Sequence, residues 1–154
     1  MSNNQLKKMA MKRLITLFVL IASVMITSCE EYDGRWRPMK VDKQHLYFIA
    51  EGGMQRVILL NYSRWRISGG YESYDATNSE YTNYVYPTSS GGMDFHTYDL
   101  LDGGWYHVVV PNNGQSAIIA ITVDKNETGQ ARQATIVMTG GNVGTEIQIS
   151  QREF

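Results

Sequence analysis

Residues 132–151 read RQATIVMTGGNVGTEIQISQ, and this stretch decides the fold. Apolar and polar side chains alternate on both sides of a glycine-rich turn at 140–144. Because successive side chains of a β-strand point to opposite faces, the alternation predicts two half-buried strands joined as an antiparallel hairpin. The predicted inward residues are Ala134, Ile136, Met138, Ile147 and Ile149.

The same pattern recurs upstream, between turns rich in glycine and asparagine. It predicts strands at 45–50, 54–61, 63–68, 105–110 and 117–123, with weaker candidates at 81–86 and 95–100. Gly69 and Gly70 are expected to end the strand at 63–68. No window shows sustained apolar spacing of a helix. About seven short antiparallel strands predict an all-β, immunoglobulin-like β-sandwich, with Trp65 and Trp105 in its core.

Composition and charge exclude some classes of function. Apolar residues make up 43% of the 154 residues and charged residues 19%, which is typical of one globular domain. Four of the 14 basic residues lie in the first 13 positions, so the chain after residue 28 has ten basic and 15 acidic residues. A net charge of −5 argues against nucleic acid as a partner and against a basic patch that docks on anionic lipid.

The first 28 residues have the pattern of an export signal. Basic residues occupy the start, and residues 14–27 (LITLFVLIASVMIT) are uncharged but shorter than the roughly 20 residues that span a bilayer. The run Ile26-Thr27-Ser28-Cys29 resembles the lipobox of bacterial lipoproteins. This resemblance implies a signal peptide at 1–28 and acyl chains such as palmitate on Cys29, which anchor the protein in a membrane. An ordinary secretory leader and a short membrane helix remain alternatives.

Residues 29–43 are predicted to form an acidic tether in front of a domain at 44–154. The acidic run Glu30-Glu31-Tyr32-Asp33 resembles the surface-export signal of lipoproteins in the Bacteroidetes. The expected location is therefore the outer membrane with the domain at the cell surface, and a periplasm-facing domain is the alternative.

An aromatic-rich insertion at 69–104 holds the candidate ligand-binding residues. Tyrosine rings stack on the C–H faces of sugars, and neighbouring carboxylates and amides bond to sugar hydroxyl groups. A binding surface requires three or more of these rings to be exposed and roughly coplanar. The alternative is that the rings only pack the insertion onto the sandwich. The candidates are Tyr71, Tyr74, Tyr81, Tyr84, Tyr86, Tyr98, Asp94 and Asp99.

No catalytic or metal site is predicted, and no cofactor. The three histidines, His45, His96 and His107, lie in separate segments without metal-ligand spacing, and His107 is expected to be a partly buried strand residue. The acidic cluster near residues 94–102 lacks the spacing of a calcium loop and is interpreted as a solvated loop. Arg64, Arg66 and Arg132 are expected on solvent faces. We therefore expect that the protein is not an enzyme.

The second half resembles the BACON family (Bacteroidetes-associated carbohydrate-binding, often N-terminal). The resemblance rests on Trp105 to Pro111, Gly114, a strand that ends near Asn126, the run 128–136 (TGQARQATI) and a last strand that ends at Gln151. Upstream, Phe48 with Gly52-Gly53 and Trp65 with Ile67 also match, so the resemblance covers about 44–151. It implies an immunoglobulin-like sandwich and contact with glycans or mucin. The segment 69–104 is longer than the family's usual connection.

Two classes of function therefore remain open. The first is a cell-surface lipoprotein whose domain binds a glycan or mucin through the aromatic insertion. The second is a structural spacer or a protein-interaction subunit of a surface complex without affinity for sugar.

Overall fold

The computed structural model describes residues 36–89, 98–112, 114 and 116–154. The predicted signal peptide, Cys29, Asp94 and His96 lie outside the described residues. Within the described ranges the chain contains strands but no helix, and hence no helix that is long and apolar enough to cross a membrane. The prediction of an all-β fold is confirmed.

Ten strands follow one another along the described chain. Their bounds are β1 His45–Phe48, β2 Gly53–Ile58, β3 Arg66–Tyr71, β4 Ser73–Asp75, β5 Glu80–Thr82, β6 Leu100–Asp102, β7 Tyr106–Val109, β8 Ile118–Val123, β9 Arg132–Gly140 and β10 Val143–Gln151. The expected number was about seven. The difference lies mainly in β4, β5 and β6, which have three residues each and are too short for a period of two to be evident.

Eight of these strands form two four-stranded sheets. The first sheet has the order β1-β10-β9-β3 and the second has the order β2-β8-β7-β6, while β4 and β5 form a separate hairpin. β1 pairs with β10 in parallel, with Leu46 opposite Ile149. The expectation of a wholly antiparallel sandwich is therefore wrong at this pair. The immunoglobulin-like class remains a prediction.

One hydrophobic core lies between the two sheets. The hairpin β9–β10 contributes all the inward residues that the alternation predicted, and β8 adds Ile119, Ile121 and Val123. Each of these side chains is at most 2% exposed, and a fully buried isoleucine, valine or methionine side chain stabilises the fold by about 1.5–3 kcal/mol. Trp65 and Trp105 are only half-buried and pack against the edge of this core.

Strand β3 continues through the glycine pair at which it was expected to end. Gly69 pairs with Val137 and Gly70 with Ile136, after a β-bulge that shifts the register between Ile67 and Gly69. A Cβ on Gly70 would lie 2.7 Å from the hydroxyl oxygen of Tyr106. The two glycines therefore do not end the strand. Because they lack a Cβ, they let aromatic rings approach the strand's backbone closely.

The folded unit begins at Trp36, so the predicted boundary at residue 44 lies too late. Met39 is buried in the core, and Val41 forms a β-bridge with Leu59. The hydroxyl group of Tyr62 donates a hydrogen bond of 2.5 Å to the carbonyl oxygen of Arg37. The sequence does not indicate this packing. Met39 lies among charged residues, and a single buried methionine produces no apolar periodicity.

Candidate functional site

A row of tyrosine rings runs from the end of β3 across the hairpin β4–β5 to the segment after it. We call this row, Tyr71, Tyr74, Tyr81, Tyr84 and Tyr86, the tyrosine ladder. Tyr74 lies directly opposite Tyr81, and their ring centroids are 4.6 Å apart. Tyr81 contacts Tyr71 at 4.8 Å and Tyr84 at 5.1 Å, and Tyr84 contacts Tyr86 at 4.9 Å. These spacings are those of favourable aromatic pairs, so the five rings form one continuous row.

The rings of the ladder divide into exposed and half-buried ones. Tyr74, Tyr81 and Tyr86 are 46%, 49% and 78% exposed, whereas Tyr71 and Tyr84 are half-buried. The requirement for three exposed rings is met. The requirement for coplanar rings is not met, because neighbouring planes make angles of 38° to 71°. The ladder therefore offers three separate aromatic facets instead of one flat platform.

The two half-buried rings anchor the ladder to the first sheet. The Tyr84 hydroxyl donates a hydrogen bond to the carbonyl oxygen of Ser68 at 3.0 Å, and its ring lies where a Cβ of residue 69 would be. Burial raises the pKa of Tyr84. Burial also raises the pKa of Tyr71, although a hydrogen bond with Thr135 opposes the rise. Both phenols therefore stay neutral and are held in place at physiological pH.

Glu72 ties the hairpin to the second sheet. One of its carboxylate oxygens accepts a hydrogen bond from Trp105 Nε1 at 3.0 Å, and the other accepts one from Asn83 Nδ2 at 2.7 Å. The guanidinium group of Arg132 lies over the Trp105 ring, 4.4 Å from its centroid, which is cation–π geometry. Arg132 is therefore half-buried and structural, and the expectation of a solvent-facing arginine is wrong.

Asp75 organises the turn of the hairpin. Its carboxylate accepts hydrogen bonds of 2.8 Å from the backbone N–H of Thr77 and from the side-chain amide of Asn78. These bonds lower the pKa of Asp75. Ser79 then adopts a φ of 55°, a conformation that non-glycine residues rarely adopt and that completes the tight turn. The turn thus sets Tyr74 and Tyr81 opposite each other.

Two of the predicted site residues that the structure describes, Tyr98 and Asp99, do not join the ladder. Tyr98 is half-buried, and the guanidinium group of Arg66 lies 5.4 Å from its ring centroid. Asp99 is 3% exposed, so its carboxylate cannot serve as a surface partner for a sugar. Asp94 lies outside the described residues. The residue type of Asp99 suggested a surface role, and nothing in the sequence indicates that the side chain is buried.

The residues that carry the family resemblance form a buried hydrogen-bond network. Gln151 Nε2 lies 3.2, 3.1 and 2.8 Å from the carbonyl oxygens of Ile49, Ala50 and Asp124, and Gln151 Oε1 accepts a bond of 2.8 Å from Arg132 Nε. The network therefore joins the turn after β1, the end of β8 and the two strands β9 and β10.

Asn126 closes the loop between β8 and β9 in the same way. Its Nδ2 donates bonds of 2.8 Å to the carbonyl oxygens of Gln130 and Arg152, and its Oδ1 accepts bonds from the backbone and hydroxyl groups of Thr128. Asn126 is fully buried. These polar residues therefore satisfy buried backbone groups, and they are not available to a ligand.

His107 is half-buried, as expected, and lies between two carboxylates. Its Nδ1 is 3.2 Å from Asp102 Oδ1 and its Nε2 is 3.3 Å from Asp124 Oδ2. The two ring nitrogens thus face the last residue of β6 and the residue that follows β8. Among the residues that the structure describes, no group of three or more His, Cys, Asp or Glu side chains is arranged to hold a metal ion.

The described residues form two packed sheets with a row of aromatic rings at one edge. Residues 87–152 match the model of the BACON family, described as "Putative binding domain, N-terminal". The resemblance to this family is therefore confirmed over those residues. The match begins directly after Tyr86, so the tyrosine ladder lies outside it.

Solved structures from Bacteroides are similar to the chain. An NMR structure of a protein from Bacteroides thetaiotaomicron is 26% identical, covers 83% of this chain and 98% of its own, and has a TM-score of 0.58. A Bacteroides ovatus GH5 xyloglucanase, solved with a XXXG heptasaccharide, is 21% identical over 76% of this chain and 19% of its own, with a TM-score of 0.44. The first comparison shows a shared fold, and the second is too weak for an argument. No curated protein matches the chain.

Proposed function

We propose that the protein is an outer-membrane lipoprotein whose non-catalytic domain binds a glycan or mucin through the tyrosine ladder. One observation carries the proposal: Tyr74, Tyr81 and Tyr86 are exposed within one row of rings. Large exposed apolar groups in contact with one another mark interaction sites on protein surfaces.

Different rings of the ladder anchor the hairpin and face the solvent, and this difference supports ligand binding over simple packing. Tyr71 and Tyr84 already attach the hairpin to the first sheet, as does Glu72 to the second. The exposed rings of Tyr74 and Tyr81 therefore need not anchor the hairpin. They lie in a pre-organised surface, which lowers the entropic cost of holding a ligand.

Calorimetry with neutral plant polysaccharides and mucin glycans tests this function. We expect binding to the lipid-free mature chain, and a loss of about tenfold in affinity on Tyr81→Ala, because an anchor ring contributes more than about 1 kcal/mol. Phe154→Ala is the matched control, since Phe154 is 77% exposed and lies outside the ladder. Absence of binding to every glycan by a folded sample would refute the proposal.

The location is part of the same proposal. The lipobox-like run before Cys29 supports two or more acyl chains on that residue, which suffice for stable anchoring. Mass spectrometry of the protein from outer membranes should find an acylated Cys29 as the mature amino terminus. Protease added to intact cells should remove the domain if it faces outward. A mature terminus at another residue would contradict the lipid anchor.

A protein-interaction subunit is the second candidate function. It is favoured by exposed apolar side chains on the outer face of the second sheet, among them Met54, Ile58, Leu60 and Ile118. A defined partner that co-purifies from outer membranes and is lost on Ile58→Glu, together with no affinity for sugar, would favour this function over the first.

A further inference from the structure

The outer face of the first sheet continues the tyrosine ladder. Tyr71 is the register partner of Thr135 on β9, Thr135 is the partner of Gln148 on β10, and Gln148 is the partner of His45 on β1. Register partners in neighbouring strands project from the same face. The inward neighbours of Thr135, Ala134 and Ile136, are buried, so this row faces outward.

A second row runs beside the first. Gln133 on β9 is the partner of Ser150 on β10, and Ser150 is the partner of Tyr47 on β1. Tyr47 is 74% exposed and stands on the edge of the sheet that lies opposite the ladder. We call the two rows the polar lane. It offers hydroxyl and amide groups between two aromatic ends.

The length of the polar lane suits a chain of several sugars. Neighbouring strands lie about 4.8 Å apart, so the three steps from Tyr71 to His45 span about 14 Å. The exposed rings of Tyr74 and Tyr81 lie beyond that span, on the hairpin. A single sugar or a disaccharide would contact only part of this surface.

Charge around the ladder selects against anionic ligands. The hairpin segment 71–86 contains Glu72, Asp75 and Glu80 but no lysine, arginine or histidine. Glu146 lies on the outer face of β10, close enough to Tyr71 to raise its pKa. On the same face, Arg66 lies over the Tyr98 ring, and His45 is at the far edge. The negative groups of sulfated, sialylated or uronic-acid chains would be repelled by these carboxylates.

We propose that the ligand is an extended, uncharged polysaccharide chain that runs from the tyrosine ladder across the polar lane to Tyr47. This inference rests on the proposed function, because it adds length and charge selectivity to the same site. Hydroxyl-rich chains suit the lane, since Thr135 and Ser150 offer hydroxyl groups and Gln133 and Gln148 offer both donors and acceptors.

Calorimetry with matched short and long ligands tests the inference. The probes are β-glucan, xylan and galactomannan, the disaccharide and hexasaccharide of each, and polygalacturonate and heparin as acidic polymers. We expect a hexasaccharide to bind at least about tenfold more tightly than its disaccharide. Tyr47→Ala and Gln148→Ala should weaken the hexasaccharide about fivefold and leave the disaccharide unchanged, whereas Tyr81→Ala should weaken both.

The outcomes separate this inference from the proposed function. If a neutral glycan binds but Tyr47→Ala and Gln148→Ala bind the hexasaccharide like Phe154→Ala, the lane is wrong and the ladder function stands. Tighter binding of polygalacturonate or heparin than of every neutral polymer would refute the charge selectivity. Failure of all probes to bind would overturn both the inference and the function.

Discussion

Single buried polar residues connect strands and loops that are far apart in the sequence. Gln151 is 2% exposed and bonds to three carbonyl oxygens and to Arg132, while Asn126 bonds to Gln130 in its own loop and to Arg152 after β10. A buried carbonyl group without a partner costs free energy, so each of these side chains stabilises several backbone groups at once. The residues that carry the resemblance to the BACON family thus maintain the fold.

Replacing Gln151 should lower stability without lowering ligand affinity. Gln151→Ala removes the hydrogen bonds of a buried side chain, empties its site and leaves Arg132 Nε without its acceptor, so the free energy of unfolding should fall by about 2–4 kcal/mol. Urea unfolding measures the change. Gln148→Ala on the exposed face of the same strand should cost less than about 0.5 kcal/mol. Equal losses in both variants would contradict the structural role of Gln151.

Tyr106 should make stability fall at high pH. Burial raises its pKa to about 12 in the folded state, compared with 10.0 for an ordinary tyrosine. The unfolded chain therefore loses this proton first, so the contribution is complete below pH 10 and is lost as the pH rises through 12. Two pKa units correspond to about 2.7 kcal/mol.

Tyr106→Phe should remove this part of the pH dependence. The Tyr106 hydroxyl is buried and has no hydrogen-bond partner among the described residues, so the variant should be at least as stable at neutral pH. Urea unfolding at neutral pH and above pH 10 compares the two proteins. The same alkaline loss in both would show that another group is responsible.

At the scale of elements, the hairpin β4–β5 depends on the glycines of β3. Tyr84 packs on the outer side of Gly69, and Tyr106 packs on the inner side of Gly70. The two glycines are adjacent, but they admit rings to opposite faces of one strand. The strand can therefore support the core and the ladder at the same point.

A matched pair of glycine substitutions should separate the ladder from the core. Gly69→Ala displaces Tyr84, so it should reduce glycan affinity about tenfold with a modest loss of stability. Gly70→Ala pushes against Tyr106 and should cost about 1–3 kcal/mol while the affinity of the folded protein is retained. Calorimetry and urea unfolding on both variants give the comparison. Loss of affinity in Gly70→Ala alone would reverse this assignment.

At the scale of the whole molecule, the sandwich closes through contacts between distant parts of the chain. The parallel pair β1–β10 joins the first strand to the last, and Met39 enters the core before β1 begins. A domain that starts at residue 44 would lack Met39 and the bridge between Val41 and Leu59. The segment 36–43 is therefore part of the fold and not a tether.

Shortening the chain tests that boundary. A protein that starts at residue 36 should be as stable as one that starts at residue 29. One that starts at residue 44 should lose about 2–5 kcal/mol, the cost of an emptied methionine site in a core. Calorimetric unfolding compares the three. Equal stability of all three would restore the boundary at residue 44.

The predicted site was only partly recoverable from the sequence. The density of tyrosines pointed to the segment that carries the ladder, but the pairing of Tyr74 with Tyr81 depends on a turn that Asp75 and Ser79 build. Asp99 was expected at the surface because an aspartate between turns is usually solvated, but its side chain is 3% exposed. Whether the exposed rings bind a sugar stays a prediction.

The sequence alone determined the two-faced strands β8, β9 and β10 and the core residues that they contribute. Period-two alternation is a local property, so Ile136 and Ile147 could be assigned inward without knowledge of their partners. Tertiary structure decided the parallel pairing of β1, the purpose of the glycine pair and the role of Gln151. Those features depend on contacts between residues such as Ala50 and Gln151, 101 positions apart, and local patterns carry no information about such contacts.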